Sequence, residues 1–109
     1  MVAFANPHQP SRTEITAARF PLGETVKTHG VLALEQSGNI KAHDFLRRHA
    51  AGDWGDCSAE DKQSNEQALK PESPDRLVSS YRLKGSERSV FVITEADRSV
   101  TTVLLSEEY

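Results

Sequence analysis

The chain has one cysteine, no long apolar run and no strong net charge, and each absence excludes a class of protein. The lone thiol, Cys57, excludes an internal disulfide and a cysteine-rich zinc site, and it is typical of a reducing compartment. No segment approaches the roughly 20 apolar residues of a membrane-spanning helix. The N-terminus lacks a basic start followed by an apolar block, so we expect no signal peptide and a cytoplasmic protein.

The weak charge limits the kinds of partner. Among its 109 residues the chain carries 13 basic and 16 acidic ones, a formal net charge of −3. This charge has the wrong sign for non-specific binding to nucleic acid, and it is too small for a nucleic-acid mimic. The sequence also contains no glycine-rich phosphate loop, no serine-hydrolase motif and no zinc signature. We therefore expect no cofactor, no metal and no membrane contact, and a protein partner is favoured over a nucleic acid.

The remaining patterns predict an α+β fold. About three N-terminal helices are expected to pack on a three- to four-stranded antiparallel sheet, formed mainly by a C-terminal meander. Residues 1–13 include two prolines and show little periodicity, which indicates a flexible arm. Residues 14–109 are then a single domain.

The spacing of apolar residues places each element. Helical spacing predicts three helices, the first two as a hairpin, at residues 31–36, 41–50 and 58–70. Alternation predicts three strands joined by short turns, at residues 77–83, 89–94 and 100–105. The strand at 89–94 is the most apolar and is expected to be buried on both faces. A short strand near residues 24–28 would be an edge strand, because Pro21 lacks the amide hydrogen that an inner strand needs.

The densest stretch, residues 52–56, reads Gly-Asp-Trp-Gly-Asp and lies between two predicted helices. Two interpretations are open. Either Trp54 fills the core while Asp53 and Asp56 hold a tight corner, or Trp54 is exposed and anchors a partner. A metal site formed by these aspartates with Asp61 is disfavoured, because they lack the spacing of a calcium-binding loop.

The predicted helix after this loop is unusually polar. Ser58 is a suitable N-cap residue, and only three apolar residues follow it up to residue 70. A helix with so little to bury either lies on the surface or presents its polar face to a partner. The leading hypothesis is therefore a non-enzymatic binding protein, with contact residues Asp53, Trp54, Asp56, Asp61 and Asn65.

A second hypothesis is a small ribonuclease-like enzyme that acts by acid–base chemistry. Glu95 would be the general base, Arg98 would bind the phosphate, and His49 would be the acid. Nothing in the sequence shows that His49 approaches Glu95. His49 also has a structural interpretation, as a hydrogen-bonded residue near the edge of the core.

Two blocks of sequence carry a resemblance to a known family. They are residues 49–56 and residues 93–109, the second of which begins Ile-Thr-Glu-Ala-Asp-Arg-Ser-Val-Thr-Thr. On these blocks the chain, from about residue 20 to its end, resembles a family of small bacterial proteins carried on plasmids and integrated mobile elements. Ser106 stands where the family pattern predicts a proline, which should loosen the end of the last strand.

The resemblance implies a setting and carries over no catalytic or binding residue. It implies an accessory protein of a bacterial mobile element that modulates host defence or element maintenance by binding another macromolecule. The fold and the chemistry are therefore inferred from the residues alone.

Overall fold

The computed structural model of the protein describes residues 2–3 and 18–109, and within them it contains five strands and three α-helices, followed by a 3-10 helix at Ser106–Glu108. In chain order the strands and α-helices are β1 (Val2–Ala3), β2 (Glu24–Lys27), α1 (His29–Gln36), α2 (Ala42–Ala50), α3 (Ala59–Ala68), β3 (Leu77–Arg82), β4 (Ser89–Thr94) and β5 (Val100–Leu105). The predicted α+β fold class is confirmed. Most of the predicted arm, residues 1 and 4–13, lies outside the described residues.

Local sequence signals explain where the helices begin and end. The hydroxyl of Thr28 accepts a hydrogen bond from the amide of Val31 at the start of α1. The hydroxyl of Ser58 accepts one from the amide of Asp61 at the start of α3, as the sequence predicts. After α3, Pro71 prevents the helix from continuing.

The sheet is mixed, which corrects the expectation of an antiparallel sheet. Its strand order is β1-β2-β5-β4-β3, and the predicted meander of β3, β4 and β5 is antiparallel. However, β2 runs parallel to β5, with Glu24 opposite Val100 and Lys27 opposite Val103. A parallel pair needs a long crossover, and here the whole segment from α1 to β4 supplies it.

The position of β2 also differs from the prediction of an edge strand. β1 pairs with β2 on the side away from β5, so β2 lies inside the sheet. Pro21 is compatible with this position because it precedes the first paired residue, Glu24.

α1 and α2 pack on one face of the sheet, and the core lies between them and the strands. α3 lies along the outer edge of β3, where it adds Ala68 to the core and bonds through Asn65 to the backbone of Val78, so the predicted placement of all helices on one face is only partly met. The strand residues that face the helices are almost completely buried, namely Leu77, Ser79, Tyr81, Val90, Val92, Thr94, Thr101, Val103 and Leu105. The predicted stripe of α2 packs against them through Ala42, Leu46, His49 and Ala50. β4 is buried on this face, whereas on the other face Ile93 is buried and Phe91 only half-buried. Among the described residues, no helix is long and apolar enough to cross a bilayer.

Candidate functional site

Trp54 lies in the core, so the corner interpretation of residues 52–56 holds. Its side chain is 4% exposed, and its ring stacks on Phe20 with the ring centroids 6.1 Å apart. The indole Nε1 donates a hydrogen bond of 2.9 Å to Glu66 on α3, and Glu66 also pairs with Arg19. Trp54 therefore joins the loop to α3 and does not project into solvent as an anchor.

The loop at residues 52–56 also covers the outer edge of β3. The amide of Ser80 donates to the carbonyl of Trp54, and the amide of Asp56 donates to the carbonyl of Ser80. The carboxylate of Asp56 then accepts from the amide of Arg82 at 2.8 Å. Unpaired strand edges invite pairing with other chains, so these bonds protect the fold from edge-to-edge association.

Asn65 completes this cover from α3. Its side-chain amide donates to the carbonyl of Val78 at 2.8 Å, and its side-chain oxygen accepts from the amide of Val78 at 3.0 Å. Asn65 is 4% exposed and imitates a neighbouring strand with its two polar atoms. The polar side-chain atoms of this predicted contact residue are therefore already bonded to the protein's own backbone.

Asp53 is held inside the corner as well. One carboxylate oxygen accepts from Arg48 at 2.7 Å, and the other accepts from the amide of Gly55 at 3.1 Å. The hydrogen bond from Arg48 lowers the pKa of Asp53 below its usual value. The phenol of Tyr81 donates to the carbonyl of Asp53, which ties the corner to β3.

His49 is buried, and both of its ring nitrogens are hydrogen-bonded. Nδ1 lies 2.5 Å from the hydroxyl of Ser79, and Nε2 lies 2.9 Å from the hydroxyl of Thr94. Burial, with a smaller contribution from Arg98, lowers the pKa of His49 to about 3. The ring is therefore neutral at physiological pH and is shielded from any substrate.

The protons of this network can be assigned from its far end. The hydroxyl of Thr101 must donate to the carbonyl of Leu22, because a carbonyl has no proton to give. Thr94 then donates to Thr101, and the Nε2–H of His49 donates to Thr94. Nδ1 is left to accept from Ser79, so every polar atom of the imidazole is satisfied without a charge.

Arg98 and Glu95 also have structural partners. The guanidinium of Arg98 donates to the carbonyls of Asp75 and Ala68 at 2.6 and 2.8 Å, and so ties the β4–β5 turn to the end of α3. Arg98 has a φ of +61°, which is unusual for a residue with a side chain. Glu95 pairs with Arg76 at 3.6 Å. The ribonuclease hypothesis gains no support from this geometry, since its acid is buried and its cation binds backbone.

Asp56 and Asp61, two of the predicted contact residues, line a groove of about 430 Å³ beside α3. This α3 groove is formed by the first half of the helix, the loop before it and the outer part of the sheet, through Asp56, Cys57, Asp61, Ser64, Val78 and Phe91. Cys57 is half-buried in it, and burial raises the pKa of the thiol, as do the nearby carboxylates of Asp61 and Asp56. The thiol is therefore less reactive than an ordinary cysteine.

The outer surface of α3 is polar along its whole length. Among its ten residues only Asn65 and Ala68 are buried. A second depression of about 480 Å³ lies along the helix, between Gln63 and Gln67 on α3 and Asp75 beyond it. Ser64 borders both depressions, so α3 forms a ridge between them. Within the described residues no group of three or more His, Cys, Asp or Glu side chains is arranged to hold a metal ion.

Comparison of the chain with protein-family models, with curated proteins and with solved structures produced no match in any of the three. The site must therefore be interpreted from its own geometry. That geometry separates the predicted contact residues into two groups. Asp53, Trp54 and Asn65 hold the fold together, whereas Asp56 and Asp61 border an open groove, and Asp56 also bonds to the edge of β3.

Proposed function

We propose that this protein is a non-enzymatic binding protein, and that it contacts another protein through α3 and the α3 groove. The observation that carries the proposal is the exposure of α3, in which eight of ten side chains are exposed. Its inner side already does the structural work through Asn65 and Ala68. The long polar outer side contributes nothing comparable to the core, and presentation to a partner accounts for it.

The proposed setting follows from the resemblance of residues 49–56 and 93–109. It is that of a cytoplasmic accessory protein of a bacterial mobile element, which modulates host defence or element maintenance. A protein partner is favoured over nucleic acid because the exposed helix is acidic, and the phosphate backbone would be repelled.

The proposal is tested by affinity capture from bacterial cytosol, with and without nuclease, followed by mass spectrometry. The chain with its natural α3 is compared with a Gln63→Tyr variant, in which a bulky neutral side chain obstructs the helix surface. Gln36→Tyr is the matched control, because Gln36 is also an exposed helical glutamine but lies on α1.

We expect a nuclease-resistant partner that is retained by the Gln36→Tyr variant and lost by the Gln63→Tyr variant. Equal capture by both variants would show that α3 is not the contact surface. Loss of all partners after nuclease treatment would replace the protein partner with a nucleic acid.

A further inference from the structure

We infer that the α3 groove takes a cationic segment of the partner protein, with an arginine or lysine against Asp56 and Asp61 and an apolar side chain on Phe91. This inference rests on the proposed function, since it assigns a chemistry to the same contact surface. It goes further by stating what the partner must carry. Three features of the molecule support it, namely the distribution of charge, the lining of the groove and the state of the strand edge.

The negative charge of the chain is concentrated around α3. Residues 56–75 contain six acidic and two basic side chains, whereas the other 89 residues contain ten acidic and eleven basic ones. The rest of the molecule is thus close to neutral, and the weak overall charge conceals a strongly acidic segment. Such a segment raises the local concentration of cationic groups and steers them toward the groove.

The lining of the α3 groove combines carboxylates with an apolar floor. Asp61 is exposed and makes no ion pair within the described residues, and Asp56 uses only one carboxylate oxygen, for the amide of Arg82. The one cation in the lining, Arg76, is already paired with Glu95. The groove therefore presents uncompensated negative charge, and a guanidinium or ammonium group complements it.

The aromatic end of the groove fits an apolar or arginine side chain. Phe91 is half-buried, and the ring of Tyr109 packs edge-on against it, with the ring centroids 5.7 Å apart. Tyr109 is 71% exposed, the largest exposure of any large hydrophobic side chain in the described residues. An aromatic ring in a lining that also holds carboxylates is a favourable surface for arginine, which stacks on rings while its charge is neutralised.

The partner must recognise this groove through side chains. The edge of β3 is occupied at Val78, Ser80 and Arg82 by bonds from the loop and from Asn65. A segment that binds by adding a strand to a sheet needs free backbone groups at that edge, but both backbone groups of Val78 and Ser80 and the amide of Arg82 are already bonded. The partner must therefore recognise the groove by charge and by one or two apolar contacts.

The test uses a fluorescently labelled nonapeptide that alternates arginine and leucine, with the full chain as the binding protein and anisotropy as the readout. Its matched variant is Asp56→Asn/Asp61→Asn, in which asparagine keeps an acceptor for the amide of Arg82. The control is Asp44→Asn/Glu87→Gln, which also removes two negative charges, but at exposed positions that do not line the groove. Thermal unfolding of both variants checks that they remain folded.

We expect the groove variant to bind the peptide about tenfold more weakly and the control variant less than about twofold more weakly, as two close charge pairs are lost only in the former. Replacement of leucine by serine in the peptide should also weaken binding. Amide NMR shifts on titration should fall at Ser64, Val78 and Phe91.

Equal weakening by the two variants, or equal binding of spermine, would overturn the inference, because either result shows only general attraction of cations. Absence of peptide binding at millimolar concentration would overturn it as well. These outcomes are distinguishable from failure of the proposed function. A partner captured through Gln63 without affinity for the peptide would leave the binding role intact and exclude the cationic segment.

Discussion

His49 has a side chain that could act in catalysis, but in this fold its role is structural. A lone histidine on an apolar helical stripe is compatible with either role, and its sequence neighbours do not decide between them. Burial at 0% exposure and two hydrogen-bond partners from the sheet decide it here. The partners lie 30 and 45 residues away along the chain, so no local pattern announces them.

The first prediction concerns the pH dependence of stability, which His49 should dominate between pH 7 and pH 5. Its pKa is about 3 in the folded protein and 6.5 when the ring is solvated. The unfolded chain therefore binds the extra proton first, and the free energy of unfolding falls as the pH falls below 6.5. We expect a loss of about 2 kcal/mol at pH 5 relative to pH 7, measured by urea unfolding.

The control for this prediction is His49→Gln, which keeps a polar side chain but cannot titrate. We expect it to be less stable at pH 7 and to lose most of the pH dependence between pH 7 and pH 5. An unchanged dependence in this variant would show that other groups cause it.

Arg98, in the turn between β4 and β5, likewise has a structural role. Its side chain binds carbonyls of the α3 C-terminus and the following loop, which explains why an arginine stands at a positive φ where glycine would be less strained. Both dense polar stretches, residues 52–56 and 94–98, therefore contain residues with clear structural roles.

At the scale of elements, the loop at residues 52–56 and α3 form one unit that protects β3. The sequence indicates the corner through its glycines and the helix start through Ser58, and both expectations are confirmed. It does not indicate that the corner pairs with a strand over 20 residues later, through the bridge between Gly55 and Ser80. Glycine at this position is required by the close approach of the two backbones.

The second prediction tests this unit with Gly55→Ala. A Cβ at Gly55 would lie 2.1 Å from the carbonyl oxygen of Ser80, so the loop must leave the edge of β3. We expect a loss of about 3 kcal/mol or more in the free energy of unfolding, together with association through the uncovered edge. Thermal unfolding and light scattering measure the two effects.

Gly85→Ala is the matched control, because Gly85 has a similar φ of +73° but no atom within 4 Å of the added Cβ. It should cost only about 1 kcal/mol, the backbone penalty alone, without association. Equal losses in the two variants would indicate that backbone strain, and not the contact with β3, determines the result.

At the scale of the whole molecule, the parallel pair of β2 and β5 joins the N-terminal strands to the C-terminal meander. The two strands lie 76 positions apart along the chain, as the pairing of Glu24 with Val100 shows. Glu108 reinforces this junction, since its carboxylate accepts from the amides of Gly30 and Leu105 and from the hydroxyl of Thr28. Although burial opposes the effect, these bonds lower the pKa of Glu108.

The third prediction compares Glu108→Ala with its neighbour Glu107→Ala. Glu108 joins the start of α1 to the end of β5, so its loss should lower the free energy of unfolding by about 1–2 kcal/mol. Glu107 makes an exposed ion pair with Arg88, and its loss should cost about 0.5 kcal/mol or less. Urea unfolding of the two variants at pH 7 provides the comparison, and similar losses would contradict the role of Glu108 in joining α1 to β5.

Some features of the candidate site can be predicted from neighbouring residues in the sequence, and others arise only from residues that are distant in the sequence. The polar character of α3, its N-cap and the acidic residues of the segment are all visible in the sequence. The α3 groove is not, because its floor comes from β3 and β4, and Phe91 lies 30 residues from Asp61. Asn65 likewise has no sequence signal for its role, since an exposed and a buried asparagine look alike in a polar helix.

Sequence alone was sufficient for the α+β class, the three helices and the C-terminal meander, because periodicity, caps and turn residues act over a few neighbouring positions. Only tertiary packing buries Trp54, keeps His49 neutral, pairs β2 parallel to β5 and places Asp61 beside an open groove. Each of these depends on which distant surfaces pack together. The free energy of that packing arises from contacts between segments that are distant in sequence. The sequence of one segment alone therefore does not determine it.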